Sequence, residues 1–508
     1  MRDSTPILIG SGQTVDRDPP QPGRSLSPAD MAAEAARRAL EHTGCAAALR
    51  EHVDVLAVAR LFEHSVKDTV MWPNPFGCSN NMPWSVARRL ELQPRRAIYA
   101  EVGGETPQRL VNQMAESIHA GETRVAVLTG AEVLATIRNA GRAGISFDWR
   151  EEVEGEFEDL WPDDPMTTAY ETRHGVTFPI QVYCLFEQVL RDELGLSQAA
   201  YRERLGRVFA PFSEVAAANP YAQFPTARSA EFLATPSAQN FQLCEPYNKW
   251  MVAQDAVNQG AAVVMTSVGL ARELGVPENQ WVFLRSYADV DDLPISMRPR
   301  LAASHAQGLA LQRALDDSGL AIDDIALLDF YSCFPIAVEA YAEALGIDFQ
   351  RELTLTGSMA FAGGPWNNYV YQATCRAAAL LRAGGGCHAL ISSVSGMLTK
   401  QAFGLWSREP PRQPFRWLDE TAAVSRAQQT VDVLPTYSGT ATVAGYTVLY
   451  ARDQAPYALA VVDTPDQRRA LVTSRDPESL ERLEAEEWVG REVLVDENVL
   501  SLRDRLAS

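Results

Sequence analysis

The sequence predicts an α/β protein that contains one α/β unit twice, followed by a small β-rich domain. Residues 100–132 and 362–392 share one pattern, in which a Gly-Gly pair precedes a helix with an apolar stripe and then a buried strand. The segments before them, 36–57 and 312–329, also match each other. Two generic helix–strand units could agree by chance, but the matching order and spacing favour a duplication.

Residues 1–279 form the predicted first half. Its first helix can begin at Ser27 or Asp30, since both side chains can cap a helix N-terminus. In the repeated unit, Thr106 is predicted as the N-cap because Pro107 then takes the first helical position, where a missing N–H costs nothing.

The two halves stop matching between about residues 136 and 250. This stretch is predicted to be a loop-domain insertion that covers the core, with helices around 178–196 and 198–208. The second half then spans residues 280–407.

A separate C-terminal domain is predicted after a proline-rich linker at 408–416, which has three prolines in eight residues. Residues 417–508 contain short β-like segments and one helix that Asp476 can cap. This content predicts a small barrel of the OB type, with a generic β-sandwich as the alternative. The β-like segments are 430–434, 439–451, 458–463, 469–473 and 491–495.

Composition and charge exclude several classes of function. A net charge of −20 argues against non-specific binding to nucleic acid, although local cations could still hold one phosphate-bearing ligand. No uncharged apolar run approaches the roughly 20 residues that span a bilayer. The N-terminus lacks an apolar signal core, so a cytoplasmic location is expected.

The seven cysteines are scattered and show no CxxC spacing. They are therefore interpreted as reduced thiols, and neither a metal site nor a tightly bound cofactor is expected. Cys78 lies in the turn-rich aromatic stretch 71–86, which suits either a pocket rim or an ordinary packed loop.

From residue 5 to about 407 the chain resembles a thiolase. It is most similar to the acetyl-CoA acetyltransferase-like proteins that are related to the sterol-carrier-protein thiolases. In this chain an additional C-terminal domain follows the thiolase-like part. The resemblance implies a layered α-β-α-β-α fold, CoA or an acyl-CoA as ligand, a role in lipid metabolism and a homodimer that the extra domain could block. The segments that carry the resemblance are 7–14, 103–104, 331–334, 357–365 and 395–400.

Thiolase chemistry needs a cysteine at a helix N-terminus, a histidine in a Gly-His-Pro turn, a second cysteine and oxyanion holes. By the resemblance, the nucleophile falls on Gly104 and the histidine on Gly364, so ordinary thiolysis is not expected. The pocket positions implied by the motifs are Gly103, Gly104, Thr106, Tyr331, Ser332, Gly363, Gly364, Trp366, Asn367 and Ser393.

The glycine pairs allow two interpretations. Backbone N–H groups at two helix starts could face one cleft and hold an anion or a carbonyl oxygen. Alternatively, the glycines only permit tight turns.

Three functions therefore remain open. The chain could bind CoA or an acyl-CoA without catalysis, transfer acyl groups through Cys333, or act as a scaffold whose C-terminal domain recruits a partner protein. Whether it is an enzyme stays undecided, because the alternative for Cys333 is a buried cysteine that only packs. The thiolase insertion supplies much of the CoA-binding surface, so four cations are candidates by location, with a solvated surface role as the alternative: Arg202, Arg204, Arg228 and Lys249.

Overall fold

A computed structural model describes most of the chain. The described residues are 2–67, 74–162, 166–349, 351–413, 415–416, 418–450 and 455–502. Residue 414 of the predicted linker, residues 71–73 of the turn-rich stretch and several residues of the predicted C-terminal domain lie outside this set; the last are 417, 451–454, which include the end of the predicted segment 439–451, and 503–508. The predicted domain boundaries remain predictions.

The chain alternates strands and helices up to its C-terminal region. The strands are β1 (Pro6–Val15), β2 (Val53–Val58), β3 (Arg96–Tyr99), β4 (Val125–Glu132), β5 (Glu158–Asp159), β6 (Gln259–Ser267), β7 (Val282–Asp291), β8 (Leu327–Asp329), β9 (His388–Ser395), β10 (Lys400–Ser407), β11 (Gly439–Leu449), β12 (Tyr457–Asp463), β13 (Arg469–Ser474), β14 (Glu492–Asp496) and β15 (Val499–Ser501).

The helices lie between these strands, and none of those described is long and apolar enough to cross a bilayer. They are α1 (Pro28–His42), α2 (Ala46–Arg50), α3 (Met82–Arg89), α4 (Thr106–His119), α5 (Leu134–Ala143), α6 (Ala169–Arg173), α7 (Pro179–Glu193), α8 (Gln198–Ala218), α9 (Ala230–Ala234), α10 (Val268–Glu273), α11 (His305–Ser318), α12 (Pro335–Leu345), α13 (Tyr369–Arg382), α14 (Thr421–Ala427) and α15 (Pro477–Ala485).

One ten-stranded mixed sheet contains both halves of the duplicated region. Its order is β5-β3-β2-β4-β6-β1-β7-β10-β9-β8. The halves join where β1 pairs antiparallel with β7, at Ile7 opposite Phe283 and Leu8 opposite Val282. The recurring unit is equal in both copies, because α4 and α13 each have 14 residues and the strands after them, β4 and β9, each have eight.

Helices α4 and α13 form the layer between the two halves of the sheet. Each contacts strands of both halves, including β1, β6, β7 and β10. Side chains of β1 alternate across the sheet. Leu8 belongs to the core cluster that contains α4, whereas Ile7 and Ile9 pack with α1 in another. With α11 packed on β7 and β10, the molecule has the mixed α/β layering that the resemblance to thiolases implies.

The N-cap residue predicted for α1 is confirmed, whereas the N-cap of α4 lies one residue before the predicted one. Ser27 caps α1, and Asp30 completes the capping box. The N-cap of α4 is Glu105, so the prediction for Thr106 is wrong. The N–H of Thr106 already donates to the carbonyl of Gly103 at 3.3 Å, which places Thr106 inside the first turn.

The C-terminal region is a closed five-stranded barrel with the order β11-β12-β13-β15-β14, as the sequence predicts. One predicted segment is wrong, because in 430–434 only an isolated bridge from Val433 to Arg469 is present. The fifth strand of the barrel is instead β15, which has only three residues and therefore no recognisable alternation in sequence. The predicted cap of α15 is confirmed, since Asp476 accepts the N–H of Ser479 at 3.1 Å.

The barrel packs directly on the insertion. A Cβ on Gly445 of β11 would lie 2.8 Å from Val189 of α7, so this glycine permits the close approach of strand and helix. Beside it, Gln181 Nε2 donates to the Tyr457 hydroxyl at 2.6 Å. The N–H of Glu245 donates to the carbonyl of Val448 at 3.0 Å.

Candidate functional site

The glycine motifs of the two halves meet at the start of α4. The N–H of Gly103 donates to Oδ1 of Asn367 at 3.1 Å, and Nδ2 of Asn367 donates to the carbonyl of Arg60 at 2.9 Å. Trp366 follows the second motif and stacks on Phe62, with ring centroids 3.6 Å apart. Gly103, Trp366 and Asn367, which the sequence assigns to one pocket, are therefore neighbours.

Gly104, on which the resemblance places the thiolase nucleophile, has no space for a side chain. A Cβ there would lie 2.5 Å from the carbonyl oxygen of Val394 and closer still to the Tyr331 hydroxyl. Real Cβ atoms essentially never come within 3.0 Å of such atoms. Burial raises the pKa of Tyr331 well above its usual value, so the group that fills this position is a neutral phenol.

Gly363 and Gly364, the second of which the resemblance aligns with the thiolase histidine, are also tightly enclosed. Gly363 has a φ of +110° and needs to be glycine. The N–H of Gly364 donates to the carbonyl of Gln254 at 2.8 Å. A Cβ on Gly364 would lie 3.0 Å from that of Ala253. The expectation that this N–H could hold an anion is therefore wrong, because the backbone of Gln254 already occupies it.

The polar groups of the second half are mostly engaged in the fold. Ser332 Oγ accepts the N–H of Met359 at 3.1 Å, and Ser393 Oγ donates to the carbonyl of Ala402 at 2.6 Å. Thr106 Oγ1 is buried and has no hydrogen-bond partner among the described residues.

Cys333 lies just before α12, and the residue as a whole is half-buried, whereas its thiol faces the interior. Its carbonyl accepts the N–H of Ala253 at 2.9 Å. Burial raises the pKa of the thiol to about 12, although a hydrogen bond with Tyr183 and backbone N–H groups lower it in part. Since the thiolate is the reactive form, Cys333 is a weak nucleophile at neutral pH.

The four candidate cations of the insertion fall into two pairs. Arg202 forms an ion pair with Glu245, and Arg204 with Glu339 at 2.5 Å. Both carboxylates are buried, so both guanidinium groups already neutralise charges inside the protein.

The other two cations lie over one indole ring. The guanidinium carbon of Arg228 is 3.8 Å from the centroid of Trp250, and the ammonium of Lys249 is 4.8 Å from it. Phe224 packs edge-on against the same indole. Burial lowers the pKa of Arg228, and its Nε is buried without a hydrogen-bond partner among the described atoms. We call Arg228, Lys249 and Trp250 the cation–indole patch.

Sequence reasoning missed a polar cluster after β2. Cys78 Sγ is 3.3 Å from Nε2 of His64, and the carboxylate of Glu63 lies beside them. The spacing of these residues matches no metal or catalytic motif, so only the folded chain brings them together.

The C-terminal region matches a described protein family. Residues 422–498 match the model of the thiolase-like protein type 1 additional C-terminal domain. No protein with a curated description matches the chain.

Solved structures match over most of the chain. The "Ltp2-ChsH2(DUF35) aldolase" structure has a TM-score of 0.59 and 19% identity, over 80% of this chain and 98% of the other. Acetyl-CoA acetyltransferase from Syntrophomonas wolfei has a TM-score of 0.56 and 15% identity, over 80% of this chain and all of the other. These two show a shared fold.

The crystal structure of a monomeric SCP2-thiolase like protein type 1 from Mycobacterium smegmatis has a TM-score of 0.83. The two sequences are 32% identical, and the match covers 99% of this chain and 100% of the relative's chain. The chain therefore belongs to the SCP2-thiolase-like protein type 1 family.

Proposed function

We propose that the chain binds CoA or an acyl-CoA and does not carry out ordinary thiolysis. The observation that carries the second part is the closed space at Gly104, where the Tyr331 hydroxyl and the Val394 carbonyl exclude a side chain. At Gly364 there is likewise no imidazole. Without a nucleophile or a base at these positions, neither acylation nor proton transfer has a group to perform it.

The cation–indole patch supports the ligand. A guanidinium group binds phosphate oxygens in two parallel hydrogen bonds, and Arg228 lies over the buried indole of Trp250 with its Nε unpartnered among the described atoms. The N–H of Ala253 donates to the carbonyl of Cys333 in the candidate site. Trp250 precedes Ala253 by three residues, which span at most roughly 11 Å, so the patch lies close to that site. One matched structure is an acetyl-CoA acetyltransferase, so the same fold serves a CoA thioester there.

The alternatives have less support. The pKa of about 12 at Cys333 disfavours acyl transfer through its thiol. A scaffold role would use the barrel surface, part of which is occupied by α7.

The relative from Mycobacterium smegmatis is monomeric, which bears on the oligomeric state of this chain. We propose a monomer here too, in place of the homodimer expected from thiolases generally; sedimentation equilibrium would contradict this by showing a dimer.

Calorimetric titration with CoA tests the proposed ligand. We expect saturable binding by the wild-type protein and binding about 10- to 100-fold weaker in Arg228→Ala, because a hydrogen bond to a charged group contributes about 1.5–3 kcal/mol. Arg207→Ala is the matched control, since Arg207 lies on the same insertion with a side chain that is 65% exposed. Equal affinities for both variants, or no binding by the wild type, would refute the proposal.

A further inference from the structure

Three side chains with different metal-binding atoms converge just after β2. A carboxylate oxygen of Glu63, an imidazole nitrogen of His64 and Sγ of Cys78 all lie within 4.8 Å of one another. The distance from Cys78 Sγ to His64 Nε2 is 3.3 Å. In a tetrahedral zinc site with Zn–S of about 2.3 Å and Zn–N of about 2.0 Å, the two atoms would be about 3.5 Å apart. The thiol and the imidazole therefore already have the spacing of two ligands on one ion.

Neighbouring groups hold two of these side chains in place. The Tyr99 hydroxyl is 2.8 Å from Nδ1 of His64 and accepts the N–H of Leu61 at 3.0 Å. Nδ1 is thus occupied, and Nε2 faces Cys78. Metal-binding histidines characteristically use their second ring nitrogen in such a hydrogen bond. On the other side, Oε2 of Glu63 accepts the N–H of Asn74 at 3.0 Å.

We propose that Glu63, His64 and Cys78 form a zinc-binding site. Sulfur, nitrogen and oxygen ligands together are typical of zinc, whereas magnesium and calcium prefer oxygen ligands alone. Three protein ligands leave a fourth position for water. Binding releases the thiol proton of Cys78 to solvent and forms the Zn–S bond with the thiolate. His64 and Cys78 are partly exposed, which gives the ion a route in, while Glu63 is only 8% exposed.

The competing interpretation is a hydrogen-bonded cluster that only joins the loop to β2. Both interpretations predict that changing these residues lowers stability. They differ in metal affinity, so the test must measure the metal directly.

The experiment uses the full-length protein after removal of metal by a chelator. Zinc is titrated in competition with a chromophoric chelator, and cobalt(II) is added separately to record thiolate-to-cobalt charge-transfer absorption. We expect one zinc ion per chain and a charge-transfer band. Cys78→Ser should abolish the band and weaken zinc binding at least about 100-fold, since even an outer-shell change costs 10- to 100-fold.

Two further variants keep the test decisive. Glu63→Gln preserves an acceptor for Asn74 and should still weaken zinc binding, because a neutral amide is a poorer zinc ligand than a carboxylate. Cys387→Ser removes an exposed thiol elsewhere and should leave both the band and the affinity unchanged. Absence of stoichiometric zinc binding by the wild type, or equal affinities in Cys78→Ser and Cys387→Ser, would overturn the proposal.

Discussion

Replacing Gly104 by alanine should destabilise the protein by about 3 kcal/mol, the upper end of the usual cost of overpacking a core. The new methyl group would meet the Val394 carbonyl at 2.5 Å and the Tyr331 hydroxyl still closer. Of these two, only the phenol can move without shifting the backbone. In a Tyr331→Phe background the same substitution should therefore cost about 1 kcal/mol less, a coupling of the size that contacting residues show.

Urea unfolding followed by tryptophan fluorescence measures both effects. The matched control is Gly141→Ala, since Gly141 lies in α5 and a Cβ there meets nothing within 4 Å. That change should stabilise the protein by about 0.5–1 kcal/mol, because alanine suits a helix better than glycine. If Gly104→Ala is as harmless as Gly141→Ala, the position is open and the reasoning about the closed site is refuted.

Two other predictions concern buried ionisable groups. At pH 8, iodoacetamide should modify the exposed Cys387 at least about 100-fold faster than Cys333, because little of the Cys333 thiol is ionised. Peptide mass spectrometry gives both rates, and equal rates would restore Cys333 as a nucleophile. Burial and the charge of Glu339 raise the pKa of Glu187 to about 8, so the folded state holds a proton that the unfolded state releases from pH 4.5 upward. The free energy of unfolding should therefore fall between pH 5 and 8, by up to about 1.4 kcal/mol per pH unit. Glu187→Gln should make this fall smaller. If urea unfolding gives the same pH dependence of the free energy for both proteins, the prediction is contradicted.

Local patterns were enough to predict the elements of the core. The apolar stripe of α4 and the buried run of β4 are properties of adjacent residues, as are the cap of α15 at Asp476 and the proline that follows it. The error at Thr106 arose because the turn at Gly103 starts the helix one residue earlier than capping preferences indicate. β15 was missed because three residues have no measurable period.

The contents of the candidate site depended on contacts between distant segments. The sequence showed that Gly104 lacks a side chain but not that Tyr331 fills the space. It placed Arg204 in the insertion but could not show the buried Glu339 that pairs with it. Position along the chain indicates where a residue could act, whereas its partners decide whether it is available.

The central proposal is that the thiolase-type site lacks a nucleophile and a base. Chromatographic measurement of acetyl-CoA formed from acetoacetyl-CoA and CoA tests this most directly. The account predicts no product above the buffer control, at a CoA concentration that saturates the protein in the calorimetric titration. Multiple turnovers by the purified protein would contradict it, and loss of that activity in Cys333→Ala would identify the Cys333 thiol as the nucleophile.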